Sequence, residues 1–426
     1  MNKDDLDQND TDIGDIDGSI SLDGDERFLD ARQAAERLGI SRSTLYAYAS
    51  RGLLRSEPIP GRPRSRRYPR ADVERLVLRR EVRRDPQTAA PKALDWGTPV
   101  LDSAISLIDR GRLYYRGHDV VELARQRSAE EVAALIWCQR FDAASDLFDR
   151  SSRRVPRLPR AARDLEILAR CQMILPLAAA ADPAAHDLRP ESVAATAARL
   201  LRTLVQVAAS ARRRDSLAAT LASGWKTERV EALDSALVLC ADHELNVSAF
   251  TARCVASAHA TPYEVVGAGL AALAGQRHGG EIRRVDALFR EAGDAAGARR
   301  ALGERLQRGE ALPGFLHPLY PAGDPRGRAL IELALPLASP EVADLSTAIV
   351  AAGEELVGGR PTLDVGLVVL ARALSLPPGA AIALFALGRT IGWIGHALEQ
   401  YALEPMIRPR ARYVGVAPAH GPPPSL

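Results

Sequence analysis

The chain holds 426 residues, of which 46% are hydrophobic, 26% charged and 5% aromatic, enough for two or three domains and a large buried core. Its 56 basic and 54 acidic residues leave a formal charge of only +2. That balance excludes a nucleic-acid binder working by overall polyelectrolyte attraction, so any such role needs a local patch.

Cys138, Cys171, Cys240 and Cys254 sit in apolar surroundings without a CxxC pair. This predicts free thiols in a reducing compartment, with no zinc site and no disulfide scaffold. The N-terminus is polar and acidic, without an apolar signal region, and no uncharged apolar run of about 18 residues occurs; a cytoplasmic chain with no membrane span is expected.

Residues 1–26 carry nine Asp and Glu26 against Lys3 alone. So few apolar groups cannot offset the cost of ordering, which predicts a disordered acidic tail. Residues 27–84 reverse the sign, with 16 Arg against six acids and a local net charge of +10. Asp30 is placed to cap a helix over 31–38, Gly39-Ile40 makes a break, and Ser41 can cap a second helix over 42–50 ending at Gly52. Ala34, Leu38, Ile40 and Leu45 can then meet between two crossing helices. The basic stretch Arg62-Pro-Arg-Ser-Arg-Arg-Tyr-Pro-Arg70 is non-helical and leads into an amphipathic helix over 71–84. Helix-turn-helix, basic wing and helix together resemble a MerR/excisionase-type winged helix, spanning 27–85. On that reading Arg42, Ser43, Thr44 and Tyr46 face the DNA major groove, while Arg64, Arg66 and Arg67 contact phosphate or minor groove. A helical hairpin with a merely solvated arginine face is the plainer alternative.

Residues 86–95 read as a linker. From Trp96 onward, 3.6-residue periodicity broken by Pro and Gly predicts an all-α domain over 96–426, with no convincing strand. Three histidines fall in polar or glycine-rich breaks: Asp242-His243-Glu244, His278-Gly-Gly280 and Phe315-Leu-His317-Pro-Leu-Tyr320. Each alone is more often structural than catalytic. Asp364 follows a Gly/Pro break before an apolar helix, where it either caps the helix, the default reading, or acts as a base. Arg326, Arg389 and Arg408 punctuate the C-terminal third, and convergent arginines suit a ligand with several carboxylates.

Taken in order, these motifs resemble citrate synthase over about 320 residues: Ser103–Asp109 with Tyr115-Arg-Gly117, Asp242–Ser248, His278-Gly-Gly280, Gly314–His317 with Asp324-Pro-Arg326, Pro361 to Asp364, Phe385–Trp393 and Arg408-Pro-Arg410. The resemblance implies large and small helical domains, the small one roughly 279–375, closing over oxaloacetate and acetyl-CoA to give citrate and CoA. It implies Asp364 as general base, His278 as the group steadying the enol, and His317 as the donor polarising the ketone. It assigns His243, Arg326 and Arg389 to the oxaloacetate carboxylates, and lets Phe385 pack on the substrate. It also implies a homodimer in which Arg408 reaches across to the other subunit, with acetyl-CoA as a substrate and no metal or bound cofactor. Departures gather on the CoA side. Pro318 and Pro321 stand where bacterial members carry basic residues, Glu281-Ile282 replaces Ala-Asn, and Thr362 replaces Asn. Two alternatives therefore stay open: a 2-methylcitrate synthase using propionyl-CoA, and a DNA-binding sensor that retains only the dicarboxylate site.

Overall fold

The computed structural model describes residues 28–59, 62–70, 72–74, 76–77, 100–149, 155–162, 164–411 and 413–416. The acidic tail and the 86–95 linker lie outside these residues, as does most of the helix expected over 71–84. The chain divides into two compact units, 1–102 and 103–426.

In the first unit, β1 (Phe28–Asp30) leads into α1 (Ala31–Leu38) and α2 (Arg42–Ser50), followed by β2 (Glu57–Ile59) and β3 (Arg62–Pro69). Asp30 caps α1 as its position predicted. Its carboxylate accepts the Arg32 and Gln33 N–H groups, both at 2.7 Å, and the Gln33 side chain accepts the Asp30 N–H at 3.0 Å. Gly39 closes α1 in the left-handed region at φ 60°, and Ser41 Oγ accepts the Thr44 N–H at 3.1 Å to open α2. The wing is antiparallel, in the order β1-β3-β2. Leu29, Ala34, Leu38, Leu45, Leu54, Tyr68 and Val73 form the buried core, with Ile40 at its edge. Residues 72–74 and 76–77 are helical and are pinned to the hairpin by two-pronged Arg37–Glu74 and Arg55–Asp72 pairs.

The second unit opens with strands that the periodicity did not predict: β4 (Ser106–Asp109), β5 (Arg112–Tyr115) and β6 (His118–Asp119), antiparallel in the order β4-β5-β6. The largest is only four residues, too short for alternation to register against the helical background. The signal lay in the turn. Arg110 and Gly111 both have positive φ, 49° and 72°, as a two-residue hairpin connection requires.

Helices follow. α3 (Val120–Gln126), α4 (Ala129–Cys138), α5 (Ala143–Asp149), α6 (Ile167–Ala180), α7 (Pro190–Ala209) and α8 (Leu217–Trp225) precede α9 (Val230–Cys240), α10 (Val247–Ala256) and α11 (Pro262–Leu273). Next come α12 (Gly280–Ala292), α13 (Ala295–Gln307), α14 (Pro325–Ala334), α15 (Pro340–Val357) and α16 (Leu363–Ala373), then α17 (Ala380–Tyr401). Within the α12–α16 group, α14 packs on α16, α13 on α15, and α12 on both α13 and α16.

The centre of the unit is α17, which packs against α7, α9, α10 and α11. Every residue from Ile382 to Ala397 is buried. Each large apolar side chain there contributes about 1.5–3 kcal/mol of burial energy. By length and composition α17 could cross a membrane; here it is the core helix. Two small residues bring its backbone close to the α9 terminus: a Cβ on Gly388 would lie 2.5 Å from the Leu237 carbonyl, and one on Gly392 2.4 Å from that of Ala241. The Gly392 N–H uses that approach to donate to the Ala241 carbonyl at 2.9 Å.

Candidate active site

Just beyond α9 the chain turns through Asp242-His243-Glu244, and the β4–β5 hairpin fixes that turn. Ser106 Oγ donates to Asp242 Oδ2 at 2.6 Å and accepts the Glu244 N–H at 2.9 Å. The Tyr115 hydroxyl donates to the Asp242 carbonyl and accepts the Asp242 N–H, both at 3.0 Å. His396 of α17 faces Asp242 Oδ1 at 3.2 Å. Burial alone would push the Asp242 carboxyl up, but His396 and Arg389 outweigh it and hold it below the usual range. Ser106, Tyr115 and Asp242 of the quoted motifs, together with His396, thus anchor one histidine.

The His243 ring is buried, with Nε2 hydrogen-bonded to the Tyr320 hydroxyl at 3.0 Å. Its centroid stands 5.3 Å from that of His317, edge to face. Burial depresses the His243 pKa well below the ordinary value, and Arg326, Arg389, His317 and His278 reinforce that. His317 is likewise depressed by burial and by Arg326, against a smaller pull from Asp324. The Leu319 N–H donates to His317 Nδ1 at 3.2 Å. Neutral His317 therefore carries its proton on Nε2 and can donate there.

Burial and Arg389 lower the pKa of His278, in the turn before α12, to about 3. Its Nε2 lies 2.8 Å from Ser248 Oγ. Asn246 Oδ1 caps α10 by accepting the Ser248 and Ala249 N–H groups at 3.0 and 3.1 Å. The Ser248 hydroxyl has two acceptors within reach, Asn246 Oδ1 at 2.8 Å and His278 Nε2. Turned toward His278, that hydroxyl leaves the neutral ring's proton on Nδ1; turned toward Asn246, it accepts from the ring and the proton sits on Nε2. Phe385 meets His278 edge-on at 5.5 Å, and the Arg389 guanidinium lies 4.8 Å above the other ring position of this stack, the Phe385 centroid.

Two arginines of this cluster are almost fully buried, Arg326 at 3% exposure and Arg389 at 1%. Arg326 grips Asp324 through Nε and Nη2 at 3.0 and 2.8 Å; Asp324 outweighs the cost of burial and raises the Arg326 pKa. Arg389 gives its Nε to the Cys240 carbonyl at 2.9 Å. Among the described residues no hydrogen bond occupies Arg326 Nη1 or either Nη of Arg389. These N–H groups can take a carboxylate ligand.

Asp364 is the second residue of α16, and it is not the cap. Thr362 Oγ1 accepts the Asp364 N–H at 3.3 Å and donates to Asp364 Oδ2 at 2.9 Å. This corrects the default expectation that Asp364 caps the helix, because a Thr two residues earlier already does so. Burial pushes the Asp364 carboxyl up to about 6, with Glu281 and Asp324 adding to the shift and Thr362 and Arg326 opposing it. A base in that range is poised for proton abstraction near neutrality.

The structure therefore brings together His243, His278, His317, Arg326, Asp364, Phe385 and Arg389. Arg408 is exposed on the segment after α17, where the neighbouring Ile407 N–H donates to Ser257 Oγ at 3.1 Å. Pro318 and Pro321 are exposed. Sequence reasoning missed Tyr320, Ser248 and Asp324 as site residues, although all three lie inside the quoted motifs. The usable signal was spacing: Tyr320 falls one turn beyond His317, and Ser248 two residues after the Asn246 cap.

In the first unit Arg42, Ser43 and Tyr46 are exposed on α2, while Thr44 is half-buried, and the Ser43 and Thr44 hydroxyls bond Ser41 Oγ at 2.7 and 2.9 Å. Arg66 is tied to Ser56 Oγ at 3.0 Å. Arg67 pairs with Glu57 at 3.2 Å and lies 3.9 Å over the Phe28 ring. Arg64 belongs to β3, and its side chain lies outside the described residues.

The sequence matches the family model for the citrate synthase C-terminal domain over residues 93–410, and a helix-turn-helix domain model over 28–81. A Mycobacterium tuberculosis relative is 36% identical over 204 residues, 46% of this chain; the chain spans only 55% of that protein's length. Broader matches are a citrate synthase of Haloferax volcanii, 30% identical over 75% of this chain and 94% of that protein, and a 2-methylcitrate synthase of Mycobacterium tuberculosis, 30% identical over 75% and 89%. The fold is shared with the Thermoplasma acidophilum citrate synthase solved as a ternary complex with carboxymethyl coenzyme A and oxaloacetate, with a TM-score of 0.65, 24% identity, and 76% of this chain and 96% of that one covered. The family-model match over three quarters of the sequence, a span that contains the motifs building the histidine–arginine–aspartate cluster, establishes that the chain belongs to the citrate synthase family.

Proposed function

We propose that the second unit condenses oxaloacetate with acetyl-CoA and hydrolyses the product to citrate and CoA. The observation that carries this reading is the pairing of an Asp364 carboxyl raised to about 6 with two buried arginines that have N–H groups to spare. Asp364 takes a proton from the methyl carbon of the thioester. His278 donates to the thioester oxygen and stabilises the enol as it forms, which requires the Ser248 hydroxyl turned to Nε2 so that the ring proton lies on Nδ1. The enol carbon attacks the oxaloacetate ketone, whose oxygen receives the proton from His317 Nε2. Arg326, Arg389 and His243 hold the carboxylates, and Phe385 packs beside them. Water then cleaves the citryl thioester and releases the CoA thiol. Neutral histidines suit this chemistry, because a donor that stays neutral does not quench the base beside it.

The test is release of free CoA thiol when purified protein is mixed with oxaloacetate and either acetyl-CoA or propionyl-CoA. Faster release with acetyl-CoA supports the reading; faster release with propionyl-CoA makes 2-methylcitrate the product; no release with either overturns it. Arg408 completes the proposal as an arginine supplied by a second subunit. Mixed Arg408→Ala and Asp364→Asn dimers should regain activity that neither variant has alone.

A second reading concerns the first unit, favoured by its match to a helix-turn-helix domain and its +10 charge over residues 27–84. It binds DNA through Arg42, Ser43, Thr44 and Tyr46 at the start of α2, with Arg64 on the wing. Arg66 and Arg67 serve the wing's own structure in the unbound protein. Phosphate contacts should dominate, so affinity should fall steeply between two salt concentrations on genomic fragments. Absence of binding at low salt would exclude this role.

A further inference from the structure

Glu281 stands in the first turn of α12, three residues after His278. Its Oε1 accepts the Gly314 N–H at 2.8 Å, and its own N–H donates back to the His278 carbonyl at 2.9 Å. Gly314 lies three residues before His317 in a φ of +80°, where a Cβ would come within 2.5 Å of Val365 and 2.7 Å of Val285. The Gly314 carbonyl in turn accepts the Thr362 N–H at 2.8 Å, and Thr362 Oγ1 donates to Asp364 Oδ2 at 2.9 Å. One short chain of bonds thus runs from the His278 turn through Glu281 and Gly314 to Thr362 and Asp364, with the His317 loop hanging from its middle.

We propose that Glu281 is a positioning residue for the condensation: its carboxylate clamps the Gly314 backbone, and so sets His278, His317 and Asp364 at fixed separations. The inference rests on the reaction proposed above. It also accounts for a carboxylate where the family pattern has a small residue. Glu281 faces outward through Arg284, with which it forms an ion pair, so its second oxygen is answered as well. Around Asp364 the charged or titratable groups are Glu281 from α12, Asp324 and Arg326 from the start of α14, and Cys240 at the end of α9, with Thr362 on its own loop. Glu281 is the nearer of the two acids in effect, and removing its charge should move the base.

Two substitutions separate clamp from charge. Glu281→Gln keeps an acceptor oxygen for Gly314 and loses the charge; Glu281→Ala loses both. For thiol release, Glu281→Ala should lower kcat about tenfold or more while the KM for oxaloacetate changes little, since small displacements at reacting atoms act on turnover. Glu281→Gln should recover most of that loss. In both variants the acid limb of the pH profile should move to lower pH, because Asp364 no longer feels a neighbouring negative charge. Hydrogen exchange of the peptide spanning 312–320 reads the clamp without any turnover: exchange should quicken in Glu281→Ala and remain slow in Glu281→Gln. If both variants exchange like the parent protein, the clamp does not exist, whatever the activity. If exchange quickens as expected but the parent releases no thiol, the reaction proposed above fails and the clamp survives. A change confined to the KM for acyl-CoA would make Glu281 a nucleotide-side charge and overturn the positioning role.

Discussion

The two sides of the proposed site are built differently. On the carboxylate side, His243, Arg326 and Arg389 are buried, bonded to Tyr320, Asp324 and the Cys240 carbonyl, and anchored by a hairpin and the core helix. On the thioester side, Leu316 is 61% exposed at a φ of +68°, Pro318 and Pro321 are exposed, and Asp364 is only half-buried. The lesson is that preorganisation is invested where charge must be held without water, since a buried arginine left unpaired would be costly. The rim that would meet a large, mobile thioester is left open to variation.

Several substitutions test that asymmetry. Asp364→Asn should cost on the order of 10³ in turnover, with oxaloacetate affinity nearly unchanged by calorimetry; equal losses in both would mean the two sides are not separable. Arg326→Ala strips a buried Asp324 of its countercharge, and should destabilise the unit by about 3–5 kcal/mol in urea unfolding while weakening oxaloacetate binding. Gly314→Ala, forced into positive φ against Val365 and Val285, should cost about 2 kcal/mol. The pH dependence lies between these and the rim. Burial raises Asp364 to about 6, the carboxylate is the active form, and kcat should therefore fall about tenfold per pH unit below that value. Leu316→Gly is the smallest. It relieves left-handed strain and should stabilise the protein by about 1 kcal/mol, with any kinetic change confined to the acyl-CoA KM.

Much of this was legible in the residues. The caps at Asp30 and Ser41 follow from local hydrogen-bond geometry, so a short window suffices to find them. The histidines were visible because Gly and polar breaks set them outside helix interiors. What escaped notice depends on contacts across long separations. The role of the 106–119 strands is to seat Asp242, a partner more than 120 residues away in sequence, and no local pattern announces such a pairing. Thr362 took the cap from Asp364 for a related reason: either residue type can cap, and only the backbone angle at 362 decides.

The place of α17 in the chain also bears on how the protein is made. It is the core helix of its unit, yet it follows in sequence every helix that packs on it, from α4 to α16. During synthesis those helices leave the ribosome with their inner faces uncovered, and the pocket for Arg389 and His396 has no occupant until residues 380–401 appear. The second unit therefore completes its core late and all together, a schedule that favours chaperone dependence and makes truncation within α17 far more damaging than loss of the same number of residues from the first unit.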